Sequence, residues 1–145
     1  MLKNTLNSIS PLDGRYATKL GDLEQYFSEF ALIKNRVLVE INWLIFMSQT
    51  KSLSFVPKLS KNKETSLLKI IDEFSLKDAE QIKKIEAKTN HDVKAVEVFI
   101  GKKLESLNLK KYKEFVHLFC TSEDINNLSY SLMLKGYLDN EFKQI

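Results

Sequence analysis

The strongest constraint on this chain is how rarely it is interrupted. After Gly21 only Pro57, Gly101 and Gly136 break the run to Ile145. Glycine and proline are the main punctuators of turns and strands, so their scarcity favours long helices. The apolar spacing agrees. Leu23, Phe27, Phe30, Val37, Leu38, Ile41, Leu44 and Ile45 fall on one broad face and predict a helix from about Leu23 to Ser48. Leu67, Leu68, Ile70 and Ile71 supply the apolar side of a second, from about Lys61 to Phe74. Ser75 stands three residues before Asp78, a helix start related to the capping box, and Ala79, Ile82 and Ile85 continue that third helix to about Lys88. Thr89 and Asn90 interrupt it. A fourth starts near Asp92, with Val93, Val96, Phe99, Ile100 and Leu104 facing the core. Residues 1–21 read as an extended or turning lead-in, 49–59 as a connection, and 107–119 show no clear period. No strand pair is visible, so the fold class is all-α.

The last helix, predicted from Ser122–Glu123 to the final residue, is different. Ile125, Leu128, Leu132, Met133, Leu134, Tyr137, Leu138, Phe142 and Ile145 spread over most of its circumference. Such a helix needs burial on several sides, which implies further chain or further subunits. A frayed helix docked on the other four is the simpler alternative. Gly101 is an oddity, since a glycine inside a helix costs about 1 kcal/mol relative to alanine.

Bulk properties exclude several classes. With 145 residues and 43% hydrophobic content the chain is long and apolar enough for a real core. Its net charge of +3 comes from 22 basic and 19 acidic residues that alternate along the helices, as on solvated faces. The densest basic region, Lys102–Lys103 with Lys110, Lys111 and Lys113, lacks base-stacking or groove-reading elements, so no nucleic-acid partner is expected. Ile41 to Met47 is too short to span a bilayer, and no membrane partner is expected. MLKNTLNSIS lacks the apolar stretch of a secretory signal, and the single cysteine, Cys120, excludes an intrachain disulfide. The cytoplasm is the expected location.

Three short segments can carry chemistry. Thr89-Asn90-His91-Asp92 precedes a helix. Thr89 or Asn90 can cap its free N–H groups, and the same donors and the helix dipole favour an anion. His91 can donate a hydrogen bond or carry a proton, and Asp92 could orient its ring. Thr121-Ser122-Glu123-Asp124 repeats the pattern, with Thr121 and Asp124 at capping-box spacing and two hydroxyls suited to a carboxylate or phosphate. Arg15-Tyr16 follows the turn-like Pro11-Leu12-Asp13-Gly14 and offers a planar donor fork beside a phenol. For each taken alone, an ordinary cap or surface pair is the stronger reading. His117 either faces the same ligand or is a core histidine beside Phe115 and Phe119. Cys120 has no activating partner, the histidines and Cys120 lack zinc-ligand spacing, and no phosphate-binding glycine loop exists.

Taken in order, the segments SPLDGRYA (10–17), TNHDVKAVE (89–97) and FCTSEDINNLS (119–129) resemble the adenylosuccinate lyase family of the fumarase/aspartase superfamily. The resemblance spans essentially the whole chain. Val98 departs from a usual aromatic, and Leu118-Phe119 from a Phe-Ala-like pair. The resemblance implies an amino-terminal helical domain over 1–121 and, over 122–145, the start of the long helix of a central bundle. It implies elimination of fumarate from adenylosuccinate to give AMP, and from the succinylated carboxamide ribonucleotide of purine biosynthesis, with no metal and no organic cofactor. Arg15 and Tyr16 would meet the phosphate and ribose, Asn90, His91 and Asp92 would line the pocket, and Thr121 and Ser122 would hold the succinyl carboxylate. His117 is a second-tier candidate. No catalytic residue is expected within the chain, because the family's general-acid His and catalytic Ser belong to later segments. The family's site is built from three subunits of a homotetramer, so the chain alone is expected to be inactive. The alternatives are another fumarate-releasing lyase of the superfamily, or a non-catalytic helical interaction module derived from a lyase.

Overall fold

A computed structural model describes residues 5–142. Among these residues there are six α-helices and no strand: α1 (Glu24–Phe27), α2 (Glu29–Gln49), α3 (Lys61–Asp72), α4 (Leu76–Thr89), α5 (Asp92–Ser106) and α6 (Ser122–Asn140). Short 3-10 turns fill the lead-in (Thr5–Asn7, Ala17–Lys19, Gly21–Leu23), the 49–59 connection (Lys51–Leu53) and the segment before α6 (Lys110–Phe115).

The predicted helix over 23–48 is two helices. Ser28 takes an extended conformation (ψ 163°), and its hydroxyl accepts from the Ala31 amide at 3.2 Å, so it closes α1 and caps α2. The apolar pattern runs through Ser28 without a gap, because α1 bends to pack its aromatic face elsewhere. Tyr26 and Phe27 lie 5.8 and 5.4 Å from the Tyr137 ring of α6. Helix α6 stops at Asn140 rather than running to the end of the chain, and residues 143–145, including Ile145 of the predicted apolar set, lie outside the described residues.

Helix α2 is the spine. Val37, Ile41, Leu44 and Met47 are fully buried, and they pack against Leu67 of α3, Ile82 of α4, and Val96, Phe99, Ile100 and Leu104 of α5. Phe74, just past α3, stands edge-on to Phe99 at 6.0 Å. Tyr112 is completely buried, and its hydroxyl donates to the Lys58 carbonyl at 3.1 Å, tying the two long connections together. A smaller cluster of Val39, Val93 and Ile125 joins α2, the first turn of α5 and the first turn of α6. It brings two helix starts to one place.

Gly101 has a packing reason. A Cβ there would stand 3.0 Å from Lys113 Cε and 3.3 Å from its Cγ. The bare backbone lets the Lys113 stem lie across α5 and reach Glu105 at 2.9 Å. Lys103 is likewise committed, to Asp78 at 2.8 Å. The basic region is thus partly a set of ion pairs on a solvated face. No described helix is long and apolar enough to cross a membrane.

Helix α6 keeps Ile125, Ser129 and Met133 inside, while Leu128, Leu132, Leu134 and Leu138 remain exposed. Part of that apolar surface faces α2 across an open cleft of about 520 Å³ lined by Trp43, Phe46, Phe119, Leu128 and Leu132.

Candidate functional site

The starts of α5 and α6 are built by different caps. At α5, neither Thr89 nor Asn90 is the cap. Thr89 is the last residue of α4, with its hydroxyl turned back to the Ile85 carbonyl at 3.3 Å. Asn90 takes a left-handed conformation (φ 51°) that ends α4, a role asparagine tolerates. The cap is His91, whose Nδ1 accepts the Lys94 amide at 3.1 Å. At α6 the expected capping box is present with Asp in the acidic position. Asp124 Oδ2 accepts from the Thr121 amide at 2.7 Å and from its hydroxyl at 2.8 Å, while Thr121 Oγ1 accepts from the Asp124 amide at 3.4 Å. Ser122 is half-buried, and its hydroxyl makes no hydrogen bond among the described residues.

Asp92 does not orient His91; the nearest approach, Nδ1 to Oδ1, is 3.8 Å. Asp92 accepts instead from the Val93 amide at 2.9 Å and from Arg36 Nη2 at 2.6 Å. Burial by itself raises its carboxyl, but the Val93 amide and the Arg36 guanidinium outweigh this and hold it below the usual carboxylate range. Arg36 is buried, and its Nε donates to Asn126 Oδ1 at 3.0 Å. One guanidinium in α2 therefore links the first turn of α5 to the first turns of α6. Planar, multiply donating Arg suits this double role as Lys would not.

The segment before α6 is held from α2 as well. Glu40, completely buried, accepts from the His117 amide at 3.1 Å and lies 2.6 Å from His117 Nδ1. Burial pushes the Glu40 carboxyl up, and His117 opposes that shift. One turn along, Trp43 Nε1 donates to the Leu118 carbonyl at 2.8 Å. His117 and Phe119 both adopt left-handed conformations (φ 64° and 66°), each costing about 1–2 kcal/mol for a side-chain-bearing residue. Such strain persists only where neighbours over-determine it, and here those neighbours are Glu40 and Trp43. Cys120 is partly buried, and burial, with Glu40 and Asp124 adding, pushes its thiol up to about 11, so it stays an unreactive thiol.

Arg15 and Tyr16 are exposed, and the Arg15 guanidinium lies 4.7 Å from the Tyr16 ring centre. Among the described residues they join neither the Arg36 network nor the Glu40 network. His91 is exposed, and Asn90 and Asp92 edge a second cleft beside Lys83 and Glu86. The structure thus brings the 89–92 and 121–126 segments together through Arg36 and leaves Arg15–Tyr16 apart. Sequence reasoning missed Arg36, Glu40, Trp43 and Asn126. Within α2 alone nothing sets Arg36, Glu40 and Trp43 apart; only α5, α6 and the segment before α6, packed over that side, reveal them. Among the described residues no three His, Cys, Asp or Glu side chains converge as metal ligands would.

Comparison with known proteins adds the family. The profile of a lyase family, described as "Lyase", matches residues 14–144. The chain is 49% identical over 140 residues to an adenylosuccinate lyase of Haemophilus influenzae, covering 96% of this chain and 31% of that protein. It is 46% identical to the adenylosuccinate lyases of Legionella pneumophila strain Corby, over 93% of this chain and 30% of the relative, and of Escherichia coli K12, over 94% and 30%. The chain spans about 30% of the length of the curated relatives it matches.

Proposed function

Since the chain belongs to this lyase family, we propose that it is the substrate-binding share of an adenylosuccinate lyase, an enzyme that releases fumarate from adenylosuccinate. The observation that carries the reading is the Arg36 bridge. It sets two donor-rich helix starts, at Asp92 and Ser122, beside one another in the chain region similar to those enzymes. Helix starts present free N–H groups and the positive end of the dipole, which suits a substrate bearing a phosphate and two carboxylates.

In this reading the Ser122 hydroxyl, unengaged among the described residues, and Thr121 meet the succinyl carboxylate. Asn90, His91 and Asp92 line the pocket, with the exposed His91 ring donating toward the substrate. Arg15 and Tyr16 close over phosphate and ribose from the lead-in. Residues 1–121 form the amino-terminal domain and 122–145 begin a bundle helix, whose exposed Leu128, Leu132 and Leu138 would be covered in a homotetramer. The proton beside the carboxylate and the departing nitrogen are handled by groups outside these 145 residues. The chain therefore binds and orients but does not turn substrate over. The same chemistry extends to the succinylated carboxamide ribonucleotide, with AMP and fumarate as the products from adenylosuccinate, in the purine pathway of the cytoplasm.

The test is a nuclear magnetic resonance titration of the 145-residue chain with adenylosuccinate, AMP and argininosuccinate, with an absorbance assay for fumarate release. The expected result is amide shifts at 90–92 and 121–122 with adenylosuccinate and no turnover. Substantial turnover overturns the binding-share assignment, and preference for argininosuccinate would move the chain to another fumarate-releasing lyase. The open apolar cleft between α2 and α6 favours the second reading, a helical interaction module. Silence at 90–92 and 121–122 toward every nucleotide would support it.

A further inference from the structure

We propose that Glu40 is a positioning residue for Thr121 and Ser122: gripping His117 by backbone and ring, it fixes the strained segment that delivers the two hydroxyls to a substrate carboxylate. The inference rests on the functional reading above and extends it to a residue in α2 that meets no ligand. Four observations carry it. First, the Glu40 carboxylate is completely buried and its two oxygens serve one residue, the His117 amide at 3.1 Å and the His117 ring at 2.6 Å. Second, Trp43, three residues further along α2, takes the Leu118 carbonyl at 2.8 Å, so consecutive residues of the segment are held from one helix. Third, His117 and Phe119 are both left-handed, and the Cys120 amide closes a tight turn onto the His117 carbonyl at 3.1 Å. Fourth, that turn leads directly into the Thr121 cap and the hydroxyl of Ser122, which has no hydrogen-bond partner among the described residues.

A segment that only joined two helices would need neither a buried carboxylate nor two left-handed non-glycine residues. Burying a charge is costly unless it is paired and hydrogen-bonded, so the pair is retained for what it holds. Here it sets the angle at which the chain enters α6. Arg36 fixes the other side of the same helix start through Asn126. The two contacts, from Glu40 and Arg36 one turn apart on α2, leave the Thr121–Ser122 backbone little freedom.

The experiment uses the 145-residue chain and its Glu40→Gln variant, with adenylosuccinate and AMP as separate probes. Glutamine keeps the volume but offers one acceptor oxygen where glutamate offers two. Without ligand, the amide signals of Cys120, Thr121 and Ser122 are expected to move while those of Asn90 and Asp92 stay. With ligand, Glu40→Gln is expected to weaken adenylosuccinate about tenfold and AMP less than about twofold, because only the former carries the succinyl carboxylate. A merely structural role would weaken both alike. Unmoved Thr121 and Ser122 signals in the free variant, or equal losses for both probes, would overturn the inference. If wild-type chain binds adenylosuccinate no better than AMP, the functional reading of Thr121 and Ser122 fails instead, and the ligand-free comparison still decides the role of Glu40. Should the glutamine variant lose its helical circular dichroism, Trp43→Phe, which releases only the Leu118 carbonyl, must move the same three amides for the inference to stand.

Discussion

Arg36 Nη2 lies 2.6 Å from Asp92 Oδ2, joining residues 56 apart in sequence. The guanidinium is buried while the Asp92 side chain is 45% exposed, so solvent screens part of the attraction. Arg36→Ala leaves Asn126 and Asp92 without their shared donor, and the expected loss is about 2–3 kcal/mol in urea denaturation, below that of a fully buried pair. Arg36→Lys should recover less than half, because an ammonium cannot reproduce the planar fork that reaches both partners. Full recovery by Lys would show that only the charge matters.

Thr121 and Ser122 should separate stability from binding. Thr121→Ala removes one half of the α6 capping box and is expected to cost about 1 kcal/mol. Ser122→Ala removes a hydroxyl with no partner among the described residues, so its melting temperature should stay within about 1 °C of wild type. Adenylosuccinate-induced amide shifts should nevertheless shrink in the Ser122 variant. A large thermal shift for Ser122→Ala would assign that hydroxyl a structural duty.

Acid should loosen three helix starts together. Asp78, Asp92 and Asp124 all have carboxyls held below the usual range. For Asp78 and Asp92 burial raises the carboxyl, and hydrogen bonds and nearby cations reverse it; for Asp124 the Thr121 amide and hydroxyl lower it. A depressed folded value means that each contribution is complete above the unfolded value near about 3.9 and is lost as pH falls through the folded value. Helicity followed by circular dichroism should therefore be flat from neutrality down to about pH 5 and fall below about pH 4. Asp92→Asn should make the acid limb shallower; an unchanged limb would remove Asp92 from the cause.

Trp43 is the single tryptophan, so its fluorescence reports one place. Its indole N–H is bonded to the Leu118 carbonyl while its ring stacks 5.5 Å from Phe46 at the edge of the apolar cleft. Trp43→Phe is expected to cost about 1 kcal/mol through the lost hydrogen bond, plus a small packing term. In the intact chain, Glu40→Gln should shift the emission maximum by loosening residue 118. No shift would mean that the indole holds Leu118 independently of Glu40.

Much of this architecture was legible beforehand, and the reasons are specific. The apolar periods of α3, α4 and α5 match the buried Leu67, Ile82 and Phe99, and the Ser75–Asp78 and Thr121–Asp124 spacings mark helix starts that the structure places at Leu76 and Ser122. The break at Ser28 was hidden because its neighbours continue the helical pattern; only the docking of Tyr26 and Phe27 on Tyr137 makes the chain turn. Arg36 and Glu40 look like members of a polar stripe when α2 is read alone. They become the organising charges only once α5 and α6 close over that stripe, which is tertiary information. The left-handed Phe119 was likewise unreadable, since nothing in its residue type asks for φ of 66°.

The cap on α5 has a consequence for proton traffic. His91 spends Nδ1 as the acceptor for the Lys94 amide, so the neutral ring carries its hydrogen on Nε2. That nitrogen is occupied by the helix, and Asp92, with its tie to Arg36, stands in the same turn. The ring is thereby committed to one tautomer by the helix it starts. It can present a hydrogen outward for as long as α5 stays wound, because the face it turns to a ligand is the one its own helix start leaves over.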